Sequence, residues 1–211
     1  MSIASDARFW DRASRKYAKG PVADQAGYER TLDRTRGLLA REHSVLELGC
    51  GTGTTALLLA GGVHDYLATD ISGAMIAIAG EKLAATPVPG LTFRAATAEA
   101  VAADAARYDA ILGFNYLHLV RDLDATLGQI RGLLAPGGLF ISKTPCVGEM
   151  NPLIRLALPA MRAVGLAPYA GVFRVEALKQ RIAAAGLEIL ACENHASKGD
   201  DKRPYIVARK T

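Results

Sequence analysis

What the chain has little of narrows it first. Its 211 residues include three cysteines, Cys50, Cys146 and Cys192, odd in number and widely spaced. That excludes a disulfide scaffold and a paired-cysteine zinc motif, so no metal and a reduced, cytoplasmic setting are expected. No apolar run is long enough to span a bilayer. Asp6 and Arg8 stand where a secretory leader needs apolar residues, so no signal peptide is expected. Aromatic residues make up only 6 % of the chain, with a single tryptophan. An excess of one charge is missing too, because the formal net charge of +4 is too small to imply a nucleic-acid partner.

What is present is a hydrophobic content of 50 %, enough to core one domain. The cations crowd the two ends: Arg8, Arg12, Arg15, Lys16 and Lys19, then Lys198, Lys202, Arg203, Arg209 and Lys210. They read either as solvated faces or as a positive rim that draws an anionic acceptor.

The most informative stretch is Val45-Leu46-Glu47-Leu48-Gly49-Cys50-Gly51-Thr52-Gly53-Thr54. A short apolar run turns through alternating glycines into a helix-like segment, where backbone passes close to a ligand and N–H groups of the helix start face it. Thr54 stands where the third glycine of the dinucleotide fingerprint would fall, which weakens a nicotinamide-dependent oxidoreductase reading.

From there strands and helices alternate. Strands are expected at Val45–Leu48, Val63–Thr69, Leu91–Ala95, Tyr108–Phe114 and Leu139–Lys143. Helices are expected at Thr54–Ala60, from Ser72 to Leu83, over 98–106 and from Asp122 to Leu134. Two helices, near 5–19 and 24–41, precede the first strand. Helix Val175–Ala185 and strands Leu187–Cys192 and Tyr205–Ala208 close the chain, the two strands as a hairpin. After the fifth strand, Pro145 to Ala170 carries Pro145, Pro152, Pro159 and Pro168 among Met150, Leu153, Ile154, Leu156, Leu158, Met161 and Val164, and 146–172 is read as short inserted helices forming a lid or an ordinary crossover. The expected architecture is one α/β domain: a helical cap over 1–43, a core of mostly parallel, doubly wound sheet over 44–145, the insertion, and a helix with hairpin over 173–211. On such a sheet ligands bind at the carboxyl ends of strands. The glycine loop, Asp70, Thr97–Glu99 and Asn115 all follow strand ends.

Five ordered segments resemble class I S-adenosylmethionine-dependent methyltransferases of the small-molecule type. They are Glu47–Gly53, Ala68–Ser72, Ala96–Glu99, Tyr108–Ile111 and Leu133–Leu139. The resemblance implies a Rossmann-like, seven-stranded sheet with an antiparallel C-terminal hairpin, and S-adenosylmethionine as cofactor, leaving as S-adenosylhomocysteine.

The residues then take expected roles. Gly49, Cys50, Gly51 and Gly53 cradle the donor, and Glu47 braces the loop or meets the donor's ammonium group. Asp70 accepts from the ribose hydroxyls. Ile71 and Met75 sandwich the adenine, and Thr97, Ala98 and Glu99 meet its edge, while Asn115 holds the amino-acid part. His118 leads as general base, followed by His195. Tyr17 and Trp10 wall the acceptor, with Tyr17 also placed among the catalytic candidates, and Lys198 and Arg203 hold an anionic acceptor. Each of these also has a plain structural reading as core, cap or solvated charge. After the fourth strand stands Asn115-Tyr116-Leu117-His118, without the proline pair that methyltransferases of DNA amino groups carry, so DNA is not expected as a partner. No appended RNA-binding module is visible. The sequence reading is small-molecule methylation, on oxygen first. Beside it stand the oxidoreductase, a non-catalytic methyltransferase-like scaffold, and methylation of RNA or protein.

Overall fold

The computed structural model describes residues 2–150, 152–163, 165, 167–199 and 202–211, with backbone alone at 152, 154, 155 and 163. Ile154 and Val164, expected among the apolar positions of the insertion, thus lie outside the described side chains. Helices α1 (Ile3–Lys19) and α2 (Gln25–Arg36) come first. Then β1 (Ser44–Leu48), α3 (Thr54–Leu59), β2 (Asp65–Asp70), α4 (Gly73–Ala85) and β3 (Leu91–Ala95) alternate. They are followed by α5 (Ala98–Ala102), β4 (Tyr108–Phe114), α6 (Leu123–Leu133) and β5 (Leu134–Lys143). Helix α7 (Pro152–Ala163) sits in the insertion, and α8 (Val175–Ala184), β6 (Leu187–Glu193) and β7 (Tyr205–Lys210) finish the chain.

The seven strands form one sheet in the order β3-β2-β1-β4-β5-β7-β6. Strands β1 to β5 are parallel, and β7 runs antiparallel to both β5 and β6. The chain winds outward in one direction from β1 and in the other from β4, so the carboxyl ends of that central pair open the ligand crevice of this topology.

The strands are buried on both faces and alternate between two cores. Leu46, Ile111, Phe140 and Ile206 pack with Leu127 and Ile130 of α6 and Leu178 and Ile182 of α8. Their neighbours Val45, Ala110, Leu112, Ile141 and Val207 pack with Leu32 of α2 and Ala56 and Leu59 of α3. Side-chain caps fix four helix starts: Asp24, Ser72, Thr97 and Asp122 accept from the N–H groups of Gly27, Met75, Ala100 and Ala125.

Some boundaries differ from the sequence expectation, for local reasons. Helix α2 stops at Arg36, because the next N–H groups, of Leu38 and Leu39, bond three residues back to the Thr35 and Arg36 carbonyls instead of four. Strand β2 starts at Asp65 rather than Val63, since a 3-10 turn occupies Ala60–Gly62 and His64 donates to the His43 carbonyl. Strand β5 begins at Leu134, pairing with Tyr108 before a register shift carries Leu139 opposite Ala110. The insertion holds a 3-10 turn, Val147–Glu149, and α7, with Leu153 and Leu156 at 71 % and 79 % exposure.

Candidate active site

A cavity of about 510 Å³ lies over the carboxyl ends of β1, β2 and β4. Its floor is the glycine turn. The Cys50 N–H donates to the Thr69 carbonyl, and the Gly51 N–H donates to Asp70 Oδ2 at 3.0 Å. Asp70 Oδ1 accepts from the Ser72 N–H at 2.9 Å. One carboxylate therefore fixes the turn after β1 against the turn after β2, and each of its oxygens keeps a lone pair for a ligand. Burial pushes the Asp70 carboxyl up, and the N–H groups of Ser72 and Gly51 act against that. Gly49 is obligatory here: its φ is +70° and a Cβ would sit 2.7 Å from Cδ2 of Tyr116. Ile71, Met75, Thr97, Ala98 and Glu99 line the wall beside Asp70.

Helix α1 forms the roof. Ile3, Asp6, Trp10 and Tyr17 fall on one face at helical spacing, and all four line the cavity. Two carboxylates pin this helix. Asp6 binds Arg121 through both oxygens, at 2.7 and 2.9 Å, a fork geometry suited to Arg. Asp11 Oδ1 accepts from Ser72 Oγ at 2.6 Å and from the Ala74 N–H at 3.1 Å, so α1 helps to cap α4. Tyr17 lies over the loop, its Cε1 3.6 Å from the position of a Cβ on Gly51.

The remaining wall follows β4. Asn115 sits at the lip with φ +52° and donates its N–H to the Lys143 carbonyl. His118 lies in a 3-10 turn, Leu117–Leu119, and its carbonyl accepts from the Gly171 N–H at 2.7 Å. Its Nδ1 is buried with no hydrogen-bond partner among the described residues. Burial, and then the charge of Arg203, pull the imidazole down to about 4. It is neutral at physiological pH, and its side chain stands in the cavity wall.

Residues 17–191 match the profile of the methyltransferase domain. The chain belongs to that family. Class I members take their methyl group from S-adenosylmethionine, and the floor suits such a donor: open backbone at Gly49 and Gly51, a carboxylate for vicinal hydroxyls, and apolar Ile71 and Met75 for a flat base. The methyltransferase is 27 % identical to a ubiquinone biosynthesis O-methyltransferase of Sinorhizobium fredii, over 92 % of this chain and 82 % of that one. It superposes on a magnesium protoporphyrin IX methyltransferase of Synechocystis with S-adenosylhomocysteine bound, with TM-score 0.71, 19 % identity and coverage of 98 % and 95 %. It also superposes on the 4+2 cyclase SpnF, with TM-score 0.75, 18 % identity and coverage of 98 % and 96 %. These likenesses show the fold, and the cyclase shows that the fold alone does not set the reaction.

The structure also leaves several sequence-predicted residues outside the methyltransferase cavity. His195 is 2 % exposed, bonded to Thr31 Oγ1 through Nδ1 and to Glu193 Oε2 through Nε2, and stacked on Tyr205. It fastens α2 to the C-terminal hairpin and has no catalytic reach. Lys198 is exposed on the same hairpin loop, away from the cavity wall. Cys50 packs into the core beside α3, and Gly53 starts α3 in a left-handed conformation with Phe93 and Ala79 against it. Both support the loop from behind.

Glu47 is also off the wall, 2 % exposed, accepting from the Tyr66 hydroxyl at 2.8 Å. Burial lifts its carboxyl to about 7, against the Tyr66 hydrogen bond and with help from Asp70. Between the unfolded value of 4.5 and about 7 the folded state holds a proton that the unfolded state releases, so its contribution to stability is lost as pH rises through that window. Glu47→Gln keeps an acceptor for Tyr66. Thermal unfolding should find the variant more stable by about 2 kcal/mol at pH 8 and equal to the parent near pH 4.5.

Sequence reasoning missed Asp6, Arg121, Gln129 and Tyr169, all on the wall. The signal for Asp6 was present, one turn before Trp10 on the stripe of α1. Tyr169 had none: it arrives after α7 in a stretch without periodicity, and the guanidinium groups of Arg121 and Arg162 lie 5.0 and 4.8 Å from its ring centre.

Proposed function

We propose that this methyltransferase moves the methyl group of S-adenosylmethionine to an oxygen of a small, anionic molecule in a cytoplasmic setting. Bound S-adenosylmethionine supplies an electrophilic methyl carbon on a positively charged sulfur, with a neutral thioether as leaving group. Gly49, Gly51, Asp70, Ile71, Met75, Ala98 and Asn115 would hold that donor, with Thr97 and Glu99 at the edge of the base and Glu47, Cys50 and Gly53 behind the loop. The protein's remaining tasks are to orient the acceptor, exclude water and receive one proton.

The observation that carries the reading is the unpartnered Nδ1 of His118 in the wall of the cavity that Asp70 and the glycine loop floor. An acceptor oxygen that takes the methyl group would give up its proton to Nδ1, and the donor would leave as the neutral thioether. Burial keeps this imidazole unprotonated but weakly basic. Arg203 lowers it further, so an anionic group paired with Arg203 cancels the smaller of the two effects and raises the basicity in part when the acceptor is in place. Tyr17 is unsuited to be the base, because its surroundings, and then Asp70 and Glu47, push its phenol up; it serves as a wall. The S. fredii relative, an O-methyltransferase by name, supports oxygen over other atoms.

Calorimetry with S-adenosylhomocysteine tests the donor, and absence of binding would sink the reading. For the base, His118→Ala should lower single-turnover methyl transfer to a hydroxy acid by about a hundredfold or more while S-adenosylhomocysteine affinity holds. Transfer at the parent rate would remove His118 from the reaction.

A further inference from the structure

Although aromatic residues are only 6 % of the chain, the cavity wall holds its one tryptophan and Tyr17, Phe114, Tyr116 and Tyr169. Tyr17 and Tyr116 lie on the glycine loop, the first near Gly51 and the second against Gly49, so they belong to the donor side. Trp10 and Tyr169 do not touch the loop in this way. They come from opposite ends of the chain, and Arg121 couples them: its guanidinium binds Asp6, one helical turn before Trp10, and lies 5.0 Å from the Tyr169 ring centre. The segment of Tyr169 is tied in a second way, by the Gly171 N–H on the His118 carbonyl. Two aromatic side chains are thus held in the wall that also carries His118, whose buried Nδ1 has no hydrogen-bond partner among the described residues, and Arg203 lines the same cavity.

We propose that the acceptor is an aromatic hydroxy acid, its ring packed on Trp10 and Tyr169, its hydroxyl on His118 Nδ1 and its carboxylate toward Arg203. This rests on the methyltransferase reading and adds the acceptor's class. Rings favour such walls because stacked and edge-on contacts add to simple burial, which a saturated ring of equal size does not gain. Trp10 and Tyr169 are then the residues that set specificity, and Arg121 positions them.

The test uses the full chain saturated with S-adenosylhomocysteine and titrated with three probes: a hydroxybenzoate, the saturated hydroxycyclohexane carboxylate, and a phenol without the acid. The hydroxybenzoate should bind about tenfold more tightly than the saturated acid, and several-fold more tightly than the uncharged phenol. Trp10→Leu and Tyr169→Leu should each shrink the ring preference, with Tyr169→Phe retaining it, and Arg203→Gln should erase the preference for the acid. S-adenosylhomocysteine affinity within a few-fold of the parent shows that each variant is folded with its donor site intact. Equal binding of the saturated acid, a ring preference that survives both leucine replacements, or no binding of any hydroxybenzoate to the loaded protein would overturn the proposal. Failure of the parent to bind S-adenosylhomocysteine would instead indict the donor reading beneath it.

Discussion

Asp70→Ala is expected to weaken S-adenosylhomocysteine binding by at least a hundredfold, read by calorimetry, with the far-ultraviolet spectrum unchanged. Two losses combine. The donor's ribose hydroxyls lose a charged acceptor, worth about 1.5–3 kcal/mol for each hydrogen bond. The N–H groups of Gly51 and Ser72 lose the carboxylate that holds the turns after β1 and β2 in one orientation, so the floor of the cavity also loosens. The sheet does not depend on this side chain, since both apolar cores lie away from it. Asp70→Asn separates the two losses, because a single amide oxygen can serve only part of the set and should give an intermediate affinity. Binding of Asp70→Ala within threefold of the parent would remove Asp70 from the donor site.

Gly49→Val should have the largest effect of any single change, eliminating measurable donor binding and lowering Tm by about 10 °C. A side chain in the left-handed region costs about 1–2 kcal/mol, and a β-branched one costs more because its own rotamers are restricted. Space adds to the penalty: the new Cβ would lie 2.7 Å from Tyr116 Cδ2, with Tyr116 Cβ and Cγ at 3.4 Å. Either the loop or the Tyr116 ring has to shift, and both are walls of the one cavity. Gly49→Ala should show the same defect at smaller size, since it keeps the Cβ contact but not the branching. Donor binding retained by Gly49→Val would mean that the loop is not the cradle.

The sheet was legible because each strand announces itself twice, by an apolar run and by the punctuation around it. Ser72 and Asp122 marked helix starts that the structure confirms as side-chain caps. The cavity floor was legible for a related reason: a ligand site at strand ends must be built from what immediately follows the strands. That rule gives a residue's height on the sheet and not its lateral place. His118 and His195 both follow strand ends, yet β6 is the outermost strand, three places from β4 in the sheet, and His195 is consumed by Thr31 and Glu193 there. Glu47, expected either to brace the loop or to meet the donor's ammonium group, lies off the cavity wall. It shares the strand with the loop, but alternation turns it under the loop toward Tyr66. The roof was half legible, since the stripe Ile3, Asp6, Trp10 and Tyr17 has helical spacing, whereas nothing in the sequence pairs Asp6 with Arg121 or Asp11 with Ser72.

Those two pairings also order events in time. Helix α1 precedes the sheet in the chain, but its anchors lie 61 residues on, at Ser72, and 115 residues on, at Arg121. Contacts of such separation form only after the chain between them has been organised. The helix is therefore expected to seat late, onto a sheet whose two cores close largely without it. Its release requires only these half-buried polar anchors and one aromatic stripe to let go, so α1 detaches at a lower free energy than global unfolding. Hydrogen exchange should show the amides of α1 opening well before those of β1 and β4. A protein losing its first helix keeps its shape and loses the ceiling under which the chemistry happens.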